Sequence, residues 1–119
     1  MAIILIVEDE VDVAELIADT LIERGHEARV AVSAGHASMI VNTERPDAIL
    51  LDINLPDSAG TITLARLHEL LPDVPIIMVT ANTDDELART TLRRGAVDYI
   101  SKPFNIDHLV HVVEGALAS

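Results

Sequence analysis

The chain contains no cysteine, which excludes a disulfide framework, a thiolate nucleophile, a cysteine-held zinc site and switching by thiol redox chemistry. It has no tryptophan, one tyrosine and one phenylalanine, so its interior must be assembled from Ile, Leu, Val, Ala and Met. Positive charge is also scarce: eight Lys and Arg stand against twenty Asp and Glu, giving a formal charge of -12. Such a surface repels a phosphate backbone, because nucleic-acid binding depends on Lys and Arg displacing condensed counterions. It disfavours anionic membranes for the same reason. The apolar opening Ile3-Ile4-Leu5-Ile6-Val7 is too short to span a bilayer or to act as a signal peptide. These features together predict a cytoplasmic protein that touches neither nucleic acid nor membrane directly.

What is present is a globular pattern. Half of the 119 residues are hydrophobic, and a compact chain of this length buries about two-thirds of its unfolded surface around one core. One domain over residues 1–119 is therefore expected. Branched apolar runs recur at 3–7, 48–51 and 76–79, with weaker ones at 28–32 and 97–100, and helix-periodic stretches lie between them.

The first helix spans Asp12 to Arg24, with Val13, Leu16, Ile17 and Leu21 on its apolar side and Gly25 as its stop. Ser33 suits the cap of a second helix reaching about Thr43. A third opens at Ser58 or Gly60 and ends before Pro72, and Thr83-Asp84-Asp85-Glu86 reads as a capping box for a fourth that stops at Gly95. Asn105 suits the cap of a fifth, whose apolar side carries Ile106, Leu109, Val110, Val113 and Leu117.

Five strands alternating with five helices predict an α/β fold: a doubly wound, five-stranded parallel sheet of order 2-1-3-4-5, flavodoxin-like. Ligands of such sheets bind outside the carboxyl ends of the strands where the order reverses, here between strands one and three. Strand one ends in Glu8-Asp9, strand three in Asp52, strand four in Thr80 and strand five near Lys102. Carboxylates gathered there repel one another unless a cation sits among them. All-oxygen ligands suit Mg2+, with Glu8, Asp9 and Asp52 as the protein's share. Asp52, at the tip of an apolar strand with its carboxylate exposed to the metal and to an incoming phosphodonor, suits an aspartyl-phosphate nucleophile. Lys102, the single lysine, and Thr80 can stabilise charge on a transferred phosphoryl group.

Each of these residues has a plainer reading alone. Acidic runs are often solvated surface, a lone Asp after a strand is usually a cap or turn former, and Thr80 and Tyr99 fit a strand by propensity. His108 and His111 share a helix face without an evident third metal ligand, and Arg93-Arg94 complement a helix C-terminus. Pro72, Pro75 and the stretch Asp57-Ser58-Ala59-Gly60 read as loop punctuation. Only the ensemble promotes the acidic, Thr and Lys positions.

In order and spacing, Val7-Glu8-Asp9-Glu10, Asp52-Ile53-Asn54-Leu55-Pro56 with Gly60, Thr80-Ala81 and Lys102-Pro103-Phe104 resemble the signature of bacterial two-component response-regulator receiver domains of the chemotaxis-regulator kind. The resemblance implies metal binding by Glu8, Asp9, Asp52 and the Asn54 backbone carbonyl, phosphorylation at Asp52, and phosphate contacts from Thr80 and Lys102. It further implies that Thr80 and Tyr99 move as a switch, altering the surface of helix four, strand five and helix five. Tyr99 suits this physically, since its ring can be buried while its hydroxyl needs a polar partner. The resemblance also implies a cis Lys102-Pro103 bond, which would aim the ammonium back at the site, X-Pro being where cis is tolerated.

The function so implied is a signalling switch. A sensor histidine kinase or phosphotransfer protein phosphorylates it, it hydrolyses its acyl phosphate slowly, and it passes the signal to a downstream protein target that no motif identifies. Whether it acts alone or as part of a longer regulator stays open. Dimerisation through helices four and five is not favoured, because His108 and Val112 replace the acidic residue and arginine typical of that mode. Two rivals remain. A magnesium-dependent aspartyl-phosphate phosphatase wants Asp where Asn54 stands, and a receiver-like interaction module that is never phosphorylated would be expected to lack Asp9, Asp52, Thr80 or Lys102. Asn54 and Asn82, two places after Asp52 and Thr80, are expected to tune the lifetime of the acyl phosphate.

Overall fold

The computed structural model describes residues 1–81 and 85–119. The predicted capping box at Thr83 and the expectation for Asn82 thus fall outside the described residues. The elements follow in the order β1 (Ile3–Val7), α1 (Val11–Glu23), β2 (Glu27–Ala31), α2 (Ala34–Thr43), β3 (Ala48–Leu51), α3 (Gly60–Leu70), β4 (Ile76–Thr80), α4 (Asp85–Arg93), β5 (Asp98–Ser101) and α5 (Ile106–Ala118). The strands form one parallel sheet of order β2-β1-β3-β4-β5, the order expected from the alternation.

Helices cover both faces, so the central strands have no solvated side. Every residue of β3 and β4 is buried, which is why these segments read as continuous apolar runs and not as alternation. One core layer joins Ile4, Ile6, Leu50, Ile77 and Val79 to α1 and α5. The other joins Leu5, Val7, Ile49, Leu51 and Met78 to α3 and the flanking segments.

Local chemistry sets the helix ends. Ser33 caps α2 by accepting from the His36 N–H at 3.1 Å, and Asn105 caps α5 by accepting from the N–H groups of Asp107 and His108. Gly25 (φ 92°) and Gly95 (φ 118°) take the left-handed conformation that ends α1 and α4. The apolar face of α1 differs from expectation. Leu16 is 51% exposed, while Ala14, Ile17, Ala18 and Leu21 are buried. The buried stripe runs through positions 14, 17, 18 and 21, at i, i+3, i+4 and i+7, and Leu16 falls outside it. The third helix begins at Gly60 after Ala59, which offers no side-chain cap. No helix among the described residues is long and apolar enough to cross a membrane.

Candidate functional site

Backbone pairing places the site. The Glu8 N–H donates to Ala31 O and the Asp52 N–H to Val7 O, each at 2.9 Å, which sets the tips of β1 and β3 side by side. The Lys102 N–H donates to Thr80 O at 2.7 Å, tying the residue after β5 to the end of β4. The Lys102-Pro103 peptide is cis, as expected.

From there the Lys102 ammonium reaches three carboxylates. Its Nζ lies 2.5 Å from Glu8 Oε1, 3.2 Å from Asp52 Oδ2 and 3.3 Å from Glu10 Oε1. The second oxygen of Asp52 accepts the Asn54 N–H at 3.0 Å, and Glu8 Oε2 accepts the Glu10 N–H at 3.2 Å. The expectation of an exposed Asp52 carboxylate is corrected here. Asp52 is only 4% exposed, because Lys102 and the Asn54 amide cover its two oxygens.

Three carboxylates and one ammonium leave an excess of two negative charges when all are ionised. Burial is costly for the charged form of Glu8, and with Asp52 beside it the Glu8 pKa is pushed up to about 7, despite the lowering contacts from Lys102 and the Glu10 N–H. Burial acts on Lys102 in the opposite sense, yet the hydrogen bonds and charges of Glu8 and Asp52 outweigh it and hold the ammonium protonated above its ordinary range. The cluster therefore meets its excess charge on Glu8, not on Lys102.

The donor set is short of positive charge and built wholly of oxygen. Glu8, Glu10 and Asp52 each offer a carboxylate oxygen within 4.8 Å of the others, the one such group among the described residues. Hard divalent cations suit such ligands. Asp9 stands outside that cluster: it is exposed and lines, with Asn54, Pro56, Ser58, Thr61 and Leu87, a cleft of about 580 Å³ between the β1–α1 and β3–α3 turns. Asp9 and Asn54 thus share the cleft, while Glu10, which sequence reasoning passed over, takes a place in the carboxylate cluster.

Thr80 is fully buried at the end of β4. Tyr99 is half-buried on β5, its ring packed against the core layer that holds Leu55 and Leu87. His108 and His111 are both exposed on α5, as the solvated reading expects.

The family model described as the response regulator receiver domain matches residues 4–114. The nitrogen assimilation regulatory protein NtrX of Azorhizobium caulinodans is 40% identical over 116 residues, covering 96% of this chain and 26% of that protein. The phosphate regulon transcriptional regulatory protein PhoB of Pseudomonas aeruginosa is also 40% identical over 116 residues, covering 96% of this chain and 51% of its own length. The chain thus spans about a quarter to a half of these curated relatives. The crystal structure of the receiver domain of NtrX from Brucella abortus superposes with a TM-score of 0.92 at 39% identity, covering 98% of each chain.

Proposed function

The chain belongs to the response regulator receiver domain family, the phosphoacceptors of two-component signalling, and from that premise we propose that Asp52 is its phosphoacceptor, within one receiver domain over residues 1–119. The observation that carries this reading is the contact of the single lysine with Asp52, 3.2 Å from Nζ to Oδ2 at the tips of neighbouring strands. In the transfer an Asp52 carboxylate oxygen attacks phosphorus, the P–N bond of a kinase phosphohistidine breaks, and the imidazole leaves. Lys102, held charged by its neighbours, stabilises the developing charge on the phosphoryl oxygens, and the Thr80 hydroxyl donates to one of them.

On this reading Mg2+ would be held by Glu8, Asp9, Asp52 and the Asn54 carbonyl: Glu8 and Asp52 stand together in an all-oxygen cluster with Glu10, Asp9 and Asn54 line the cleft beside it, and when bound the ion would supply Lewis-acid neutralisation of phosphoryl charge. The donor is a sensor histidine kinase or a phosphotransfer protein. A cytoplasmic setting belongs to this reading, since the ATP that charges such a kinase is held there. Once phosphorylated, Thr80 and Tyr99 shift, and the surface of α4, β5 and α5 changes for a downstream protein. The chain is not a turnover enzyme: Asn54 stands where a phosphatase would place a carboxylic acid able to give up a proton, so hydrolysis of the acyl phosphate is slow.

The test is transfer from a phosphorylated histidine kinase. Label is expected to move to the wild-type chain and not to the Asp52→Asn variant. Multiple turnover of phosphate monoesters would replace this reading with that of a phosphatase.

A further inference from the structure

The loop between β3 and α3 is closed at its base. The Gly60 N–H donates to Ile53 O at 2.9 Å, and Asn54 and Ala59 form an isolated antiparallel bridge. Its tip is held by a different contact. Asp57 Oδ1 accepts the Ala34 N–H at 2.9 Å and Oδ2 accepts the Gly35 N–H at 3.0 Å, so a residue the sequence presents as loop punctuation grips the first turn of α2. The first N–H groups of a helix have no partner within it. The first turn of α2 carries no acidic residue of its own, and its Ser33 cap serves His36 instead. Asp57 thus supplies from another loop both the acceptors and the negative charge that this helix end favours. The two backbone N–H groups accordingly draw its carboxyl below the usual range.

We propose that Asp57 is a positioning residue: by clamping its loop to the start of α2, it helps fix where Asn54 stands in the cleft it shares with Asp9. Only Leu55 and Pro56 separate Asn54 from Asp57. Pro56 has a fixed φ, and Leu55 packs on the core. A displacement at Asp57 has only these two residues over which to be absorbed before it reaches Asn54, whose own ties are the bridge to Ala59 and the N–H donated to Asp52 Oδ1. The inference rests on the proposed role of the Asn54 carbonyl at the metal.

The experiment is calorimetric titration with Mg2+ alone, without phosphodonor and well below the melting temperature, on the wild type and on Asp57→Ala, Asp57→Asn and Asp52→Ala. Groups that orient metal ligands typically alter affinity by roughly 10- to 100-fold. For a clamp three residues from the ligand, Asp57→Ala should weaken Mg2+ binding roughly three- to tenfold. Asp57→Asn, which keeps one acceptor oxygen, should fall between the two. It also carries the test if Asp57→Ala fails to fold. A purely structural role would lower the melting temperature of both variants and leave the Mg2+ Kd within about twofold of wild type, which overturns the proposal. If Asp52→Ala binds Mg2+ as tightly as wild type, the metal reading beneath the proposal is wrong. If Asp52→Ala loses binding while both Asp57 variants keep it, the clamp alone is wrong.

Discussion

Lys102 Nζ stands 3.2 Å from Asp52 Oδ2 across fifty residues of sequence, with both side chains almost wholly withdrawn from water. On the proposed reading, a compact ammonium in that position stands within reach of a phosphoryl oxygen added to Asp52, and would exchange part of its contact with the carboxylates for it.

Removing that ammonium should slow transfer without abolishing the acceptor. Lys102→Ala is expected to reduce the rate of Asp52 phosphorylation by acetyl phosphate roughly 100-fold, the usual effect of deleting one preorganised donor. Lys102→Arg should not restore it, because a planar fork cannot reach Glu8, Glu10 and Asp52 as one point charge does. Intact-mass time courses would check both.

The raised pKa of Glu8 ties stability to pH. In the folded, metal-free protein this carboxyl ionises near 7, against 4.5 ordinarily. Its stabilising contribution is therefore complete below about pH 4.5 and is lost as pH rises through 7. Asp57 and Glu114, whose pKa values are lowered, titrate below this window and do not mask it. Between pH 5 and 8 the metal-free protein should lose on the order of 1–3 kcal/mol. Glu8→Gln should flatten that slope, and Mg2+ should oppose the loss at pH 8. Urea titrations at several pH values, with and without Mg2+, measure all three effects.

Two glycines should respond oppositely to alanine. A Cβ on Gly60 would lie 2.3 Å from Ile53 Cα and 2.6 Å from Ile53 O. Both are backbone atoms that cannot swing aside, so Gly60→Ala should cost about 3 kcal/mol or more. A Cβ on Gly115 would meet nothing within 4 Å in the interior of α5, and Gly115→Ala should stabilise by about 0.5–1 kcal/mol. Equilibrium denaturation separates the two. Equal destabilisation would contradict the packing around Gly60.

What the sequence disclosed was what local chemistry decides. Ser33 and Asn105 act on N–H groups two or three residues away, and the runs at β3 and β4 are apolar throughout because the sheet is covered twice. Glu8, Asp52, Thr80 and Lys102 were legible as strand endings, since the topology of a doubly wound sheet brings those endings together. Three features were not legible. Leu16 faces outward because Ala14 and Ala18, and not the larger Leu16, complete the buried stripe with Ile17 and Leu21. Glu10 joins the cluster only because Lys102, ninety-two residues later, reaches back to it. Asp57 was read as punctuation because its partners lie twenty-two and twenty-three residues earlier, where no local spacing announces them.

The most direct test of the central claim is intact mass spectrometry after incubation with acetyl phosphate, with and without Mg2+, on the wild type and on Asp52→Ala. One phosphoryl addition that requires Mg2+ and disappears in the variant is the predicted result. An addition that persists in Asp52→Ala, or that forms equally without Mg2+, would contradict it.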